Sequence, residues 1–448
     1  MKKMIILLTI LLIPNLVLAS DITENSKILV NDNVINKLTD KNENSYTTIT
    51  IDDEIKINSN EDIYGLYIIY ELKSATGIIT SNNKNVVVGE NEYLHEYINI
   101  FKTFKNTKEI TLKYNEDVLI GEIYILGSGE IPEFVEVWEK PLENNTDLLL
   151  ISTHSDDEQL FFLGLLPTYV AKGANVQVAY YVNHFDNPKR LHEQLHGLYK
   201  VGIRNYPVIG IIPDAYSETL NGAIKNIEAS GLTVDDGINY QVEIIRRFKP
   251  SVVVGHDESG EYSHGQHILN THTLKIALEK TNDETYHEES FNKYGLWDTP
   301  KTYIHLYKEN QIIMDYDTPL DYFDDKTAYE VSKEGYKEHH SQQWTWFTAW
   351  INGKNNEYTK STDIKKYSPN EFGLYRSLVG EDIEKNDMFE NLTYRKDIIK
   401  EELEDNEIEN IIDEIKSKVF IDYIKEYKLY IIGGILLITM LIIVSKKR

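Results

Sequence analysis

Two short segments of the chain carry most of its chemistry. Thr153-His154-Ser155-Asp156-Asp157-Glu158 brings an imidazole and adjacent carboxylates together, and Gly260-Glu261-Tyr262-Ser263-His264-Gly265-Gln266-His267 adds two more imidazoles. A hydrolytic zinc site needs three nitrogen or oxygen ligands from the protein and an open position for water. His154, Asp157 and His267 can supply them, because His-x-x-Asp spacing places two ligands within one turn at a helix entry and His267 approaches from the other loop. Asp156 is then left beside the metal, where a carboxylate can take a proton from water and act as general base. His264, three residues before a ligand, can reach the other side of the reacting carbon, stabilise an oxyanion and help protonate a leaving amine. His256 and Asp257 precede the second segment and read either as groups that orient the ligands or as ordinary loop residues.

The elements that must position these residues are legible as apolar runs. Leu148-Leu149-Leu150-Ile151 reads as a buried parallel strand leading into a helix from about Glu158, and Ser251-Val252-Val253-Val254-Gly255 reads as a second strand. Further strands are expected over 175–182 and 206–212, with helices over 188–201 and 238–248. Such alternation implies α/β architecture: a Rossmann-like, mostly parallel sheet covered by helices, with both motifs at carboxyl ends of strands. Beyond residue 280 the pattern blurs, with one helix expected over 327–350. Residues 20–140 differ, with alternating runs such as Gly65-Leu66-Tyr67-Ile68-Ile69-Tyr70 and Glu109-Ile110-Thr111-Leu112-Lys113-Tyr114 separated by Asn, Asp and Gly. Period two with these turn residues predicts an antiparallel β-sandwich, and the polar stretch 140–146 around Pro141 marks a boundary.

A chain of 448 residues is long enough for two or three domains, and its net charge of -26 argues against nucleic acid as a partner. The absence of cysteine excludes disulfides and thiolate ligands, so a metal must be held by His, Asp and Glu. Residues 1–19, with Lys2 and Lys3 before an apolar run and Val17-Leu18-Ala19 at its end, have the layout of a secretory signal peptide. Residues 395–428 carry Ile408, Ile411, Ile415 and Val419 amid dense charge, which predicts a stalk helix. The apolar stretch 429–445 followed by the basic tail 446–448 predicts a transmembrane helix. These expectations describe a secreted protein anchored in the cell membrane, with its catalytic domain outside. Nothing in the sequence sets an oligomeric state.

The two motifs resemble those of the PIG-L/LmbE-like deacetylases, whose signatures are Ala-His-Pro-Asp-Asp-Glu after the first strand and a later Gly-His-Pro-Asp-His loop. The resemblance spans about residues 147–280 of a domain expected over 147–390, and His339-His340-Ser341-Gln342 extends it modestly. It implies zinc, or another divalent metal, on His154, Asp157 and His267, with Asp156 as base and His264 stabilising the transition state. It further implies that Arg190 and Glu193 are a substrate-contacting and bracing pair, that Asp214 is a sugar contact, and that the substrate is an N-acetylated amino sugar of a surface glycan or glycoconjugate. Thr153 and Ser155 replace a small residue and a proline, and Gln266 stands where the family usually has aspartate. The N-terminal region resembles discoidin-like modules.

Other readings stay open. His192-Glu193-Gln194-Leu195-His196 satisfies the His-Glu-x-x-His pattern of zinc metalloproteases, with Glu218 at a spacing suited to a third ligand. Asp156 and Asp157 at a helix start can be mere caps. A non-catalytic glycan-binding protein of the cell surface would use the sandwich. Trp344, Trp346 and Trp350 can stack on sugars or pack in the core.

Overall fold

The computed structural model describes residues 20–397. Residues 20–126 form two antiparallel sheets. The larger runs in the order Asn33–Val34, Ser26–Val30, Ile55–Ser59, Glu109–Tyr114, Gly77–Ser81, Lys84–Val88; the smaller runs Thr47–Ile49, Val118–Leu126, Gly65–Tyr70, His95–Asn99. Inward residues of both sheets, among them Ile57, Ile79 and Leu112 from one and Leu66, Ile68 and Ile120 from the other, share one core. Each fully buried Ile or Leu contributes roughly 1.5–3 kcal/mol by leaving water. Gly65–Tyr70 is buried along its whole length because it has no solvent face. Tyr67 and Ile69, on its reverse side, pack with Leu126 and Val135 of the chain leaving the sheets.

The α/β part follows in the order β1 (Leu148–Ser152), α1 (Asp157–Leu160), α2 (Leu165–Ala171), β2 (Val176–Tyr180), α3 (Lys189–Lys200), α4 (Leu220–Ala229), α5 (Val234–Phe248), β3 (Val252–Gly255), α6 (Gly265–Lys280), α7 (Glu288–Tyr294), β4 (Lys301–His305), β5 (Gln311–Ile313), α8 (Ala328–Glu338), α9 (Thr345–Asn352) and β6 (Glu371–Ser377). The sheet order is β2-β1-β3-β4-β6-β5. Strands β2, β1, β3 and β4 are parallel, while β6 pairs antiparallel with β4 and β5. Strand order reverses at β1, which leaves a crevice beyond the carboxyl ends of β1 and β3, where open α/β sheets bind ligands. Helix α5 is started by a capping box between Thr233 and Asp236, and its apolar stripe, including Ile244, Ile245 and Phe248, packs on β1 and β3 residues Leu149, Ile151 and Val253.

Several expectations need correction. The strand expected over 206–212 runs beside β2 but pairs only through isolated bridges at Val208 and Ile212, because Pro207 and Pro213 lack amide donors and Gly210 packs against the Tyr181 backbone. The helix expected over 327–350 is broken into α8, a short 3-10 turn at His340–Gln342 and α9. The transmembrane anchor is not upheld: among the described residues no helix is long and apolar enough to cross a membrane. The longest of them, α6, has 16 residues, about 24 Å against the ~30 Å of a hydrocarbon core, and carries polar residues on every side. The membrane as a partner and the membrane-anchored localisation fall with it. The segments on which they rested, the signal peptide 1–19, most of the stalk 395–428, the span 429–445 and the tail 446–448, lie outside the described residues.

Candidate metal centre

The parallel strands deliver a histidine each to one rim: His154 after β1, His184 after β2, His256 after β3, and His305 as the last residue of β4. All four are buried. His154 Nδ1, Asp157 Oδ2 and His267 Nε2 form a triangle with every edge 3.2 Å. Ligand atoms on a tetrahedral zinc with bonds of ~2.0–2.1 Å stand about 3.3–3.4 Å apart, so this donor set fits such an ion with almost no rearrangement. Burial alone would raise Asp157, but His267 and His154 hold its carboxyl well below the usual range.

Each ligand is held from behind. Glu261 is fully buried, and its Oε2 accepts from Nδ1 of His267 at 2.7 Å and of His256 at 2.8 Å, while Oε1 accepts from His305 Nδ1 at 2.6 Å and the Asp257 amide at 3.2 Å. With its Nδ1 proton committed, His267 turns a bare Nε2 to the metal position. His154 Nε2 donates to Gln266 Oε1 at 3.0 Å, which leaves Nδ1 free to hold a metal. Gln266 is itself fixed by the Ala215 amide and by donating to Pro213 O, so the amide that replaces aspartate orients His154 without a charge. His256 Nε2 accepts from the Thr153 amide at 3.0 Å and pins β1 to β3 at the rim.

Asp156 occupies an unusual conformation, φ 126°, between β1 and α1. A non-glycine residue there costs of order 1–3 kcal/mol. Its carboxylate accepts from Arg190 Nη2 at 3.1 Å, and burial lifts it to about 7 despite that guanidinium. Arg190 also donates to Ser155 O at 2.5 Å and to Asp214 Oδ2 at 3.2 Å; Asp214 Oδ1 lies 3.6 Å from His154 Nε2. His184 closes this side, accepting from the Ser155 amide at 3.1 Å and lying 3.2 Å from Asp214 Oδ2. His264 caps α6, its Nδ1 accepting from the Gln266 amide at 3.2 Å, with its ring 4.6 Å from that of His154 and 4.7 Å from that of His267. Burial, with His154 and His267 beside it, pushes His264 down to about 2.

The sequence-derived residues divide accordingly. His154, Asp156, Asp157, Arg190, Asp214, His256, His264 and His267 converge. Asp257 turns its carboxylate to the Ser259 amide, and Glu193 grips the amide and hydroxyl of Ser341 at 2.7 and 2.5 Å. Glu193 therefore braces α3 against the turn after α8 and is parted from His192 and His196, which point to the N-terminal sheets. The metalloprotease arrangement does not assemble. Glu261, His184, His305 and the Glu158–His339 pair at 2.8 Å were not read from the sequence. The histidine ending β4 carried a usable signal, its place at a strand's carboxyl end; Glu261 carried none beyond lying inside the second motif.

An aromatic rim borders the centre. Tyr216 and Tyr262 stand edge-on to His264 at 5.1 and 5.4 Å, and Tyr262 leads outward to Trp346 at 5.8 Å and Trp350 at 5.2 Å. Trp344 and Trp346 remain 56% and 45% exposed, too open to serve as core.

No family model matches the chain. It is 41% identical over 69 residues to a 1D-myo-inositol 2-acetamido-2-deoxy-alpha-D-glucopyranoside deacetylase 2 of Saccharopolyspora erythraea, covering 15% of this chain and 24% of that protein. It is 25% identical over 179 residues to the deacetylase of the same name from Geodermatophilus obscurus, covering 35% and 60%. These similarities and the clustered ligand atoms point to the PIG-L/LmbE-like deacetylases. The chain spans less than two thirds of either relative. Among solved structures, the N,N'-diacetylchitobiose deacetylase of Pyrococcus horikoshii is similar with TM-score 0.37 and 13% identity over 51% of this chain and 83% of that one. The discoidin-like resemblance of the N-terminal sheets acquires no specific support.

Proposed function

We propose that the protein is a metal-dependent amide hydrolase that removes the N-acetyl group from an N-acetylated amino sugar in a glycan or glycoconjugate. The observation that carries this reading is the 3.2 Å triangle of His154, Asp157 and His267 with a buried, spare carboxylate on the adjacent residue. Zinc, or another divalent ion, bound there would supply Lewis-acid polarisation of the acetamide carbonyl and of water. Asp156 accepts the proton of the attacking water, and Arg190 holds that carboxylate in place. His264 donates its Nε2–H to the oxyanion as the carbonyl carbon becomes tetrahedral. The C–N bond then breaks, the proton held by Asp156 passes to the nitrogen, and acetate and the free amine leave. The acetamido sugar is supported by the names of the two relatives, and the exposed tryptophans suit stacking on a sugar face.

The test is metal content and acetate release from a panel of N-acetylated saccharides. Asp156→Asn is expected to retain metal and lose roughly 10²–10⁴-fold in kcat, the usual worth of a general base. His267→Ala is expected to lose both metal and activity. A wild-type protein with full metal that releases no acetate from any member of the panel would defeat the proposal.

A further inference from the structure

A second histidine and glutamate cluster lies where α3 meets the N-terminal sheets, and the proposed reaction makes no use of it. Glu136, on the segment leaving the sheets, is buried, and its two oxygens accept from His95 Nδ1 at 2.7 Å and His196 Nδ1 at 2.6 Å. Held this way, both rings direct Nε2 away from Glu136: His196 Nε2 stands 2.9 Å from Glu43 Oε2, and His95 Nε2 stands 2.8 Å from His192 Nδ1. His192 Nε2 in turn lies 3.3 Å from the Tyr46 hydroxyl. The arrangement is related to the first centre, where buried Glu261 grips Nδ1 of His267 and turns its Nε2 toward the other ligand atoms. Ligand atoms of Glu43, His95 and His196 lie within 4.8 Å of one another.

We propose that Glu43, His95 and His196 bind a second divalent cation, with Glu136 fixing the two imidazoles and His192 beside His95 as a further donor. Two imidazoles and a carboxylate are a borderline set that suits zinc more than magnesium or calcium. Seating the ion requires the 2.9 Å Glu43–His196 pair to open by a few tenths of an ångström and the His95 nitrogen, within 4.8 Å of both, to draw in; Glu43 and His196 are each about a quarter exposed and have room to adjust. Access is built in: a cavity of about 740 Å³ is lined by Glu43, Glu136 and His196. Since Glu43 lies in the loop before strand Thr47–Ile49, His95 starts strand His95–Asn99 and His196 is on α3, the ion would cross-link the N-terminal region to α3. The proposal stands independently of the hydrolase reading.

The experiment is to strip the full-length protein with chelator, reload it with zinc alone, remove loosely held ion, and count zinc per chain. Two equivalents are expected in wild type and one each in His267→Ala, Glu43→Gln and His95→Gln. The latter two should keep acetate release if the hydrolase reading holds. Cobalt in place of zinc gives a second readout: His267→Ala should still show tetrahedral cobalt absorption, and adding Glu43→Gln should abolish it. If His95→Gln does not fold, Glu43→Gln decides. One equivalent in wild type that His267→Ala removes completely would overturn the proposal. One equivalent that survives His267→Ala and disappears in Glu43→Gln would uphold it and count against the first centre instead.

Discussion

Replacing Glu261 with glutamine keeps the side chain's shape, removes its charge and leaves too few acceptors for the donors around it. The glutamate oxygens accept four donors, two on Oε2 from His256 and His267 and two on Oε1 from His305 and the Asp257 amide. Glutamine has one oxygen, so in either rotamer its NH2 group meets two donors. If the amide oxygen stays with His256 and His267, His305 can release its Nδ1 proton and accept from the NH2 group while Nε2–H still donates to Ser368 O, so the conflict falls on the Asp257 amide, which loses its acceptor. If the amide turns over, His267 loses the acceptor that fixes its tautomer. Either outcome leaves buried groups unsatisfied at about 1–3 kcal/mol, and loss of a partner behind a metal ligand typically weakens metal binding 10–100-fold. At 1.36 kcal/mol per decade this corresponds to about 1.4–2.7 kcal/mol. Competition against a chromophoric chelator at neutral pH measures it directly, provided circular dichroism shows the Glu261→Gln variant folded. An affinity within twofold of wild type would refute the role assigned to Glu261.

Two further outcomes are expected. Arg190→Met should move the acid limb of the kcat/KM profile to higher pH, because Asp156 works ionised, burial already lifts it to about 7, and the guanidinium that opposes the rise is gone; an unmoved limb in paired pH-rate profiles would remove Asp156 from the base role. Trp346→Ala should raise KM for an oligosaccharide about 2–10-fold, from the ~0.5–1.5 kcal/mol of one aromatic contact, at unchanged kcat. Steady-state kinetics on short and long substrates checks this, and an identical KM would make the exposed indole irrelevant to binding.

The parts of this molecule legible in its sequence are those set by local pattern. Strands β1 and β3 were readable because parallel strands buried on both faces are continuous apolar runs, and both loops of the candidate metal centre follow them directly. The 206–212 segment misled because its apolar residues suit a strand while Pro207 within it and Pro213 just after it refuse the ladder. Helix α3 was ambiguous for a different reason. Its two sides serve two environments, Arg190 and Gln194 meeting the Ser155–Asp156 turn and His192 and His196 meeting His95 and Glu136, so a five-residue motif mixed residues that never face each other. Glu261 was silent because its three imidazole partners lie five, six and forty-four residues away, and only the tertiary fold brings them together.

The backbone at Asp156 has an evolutionary consequence. With φ at 126°, glycine would relieve strain of about 1–3 kcal/mol, a sizeable share of the ~5–15 kcal/mol that keeps a domain folded. Drift at this position therefore runs downhill toward glycine whenever the chemistry ceases to matter. That relief is set against the loss of the 3.1 Å contact with Arg190, so glycine is expected at 156 only where the carboxylate is no longer needed.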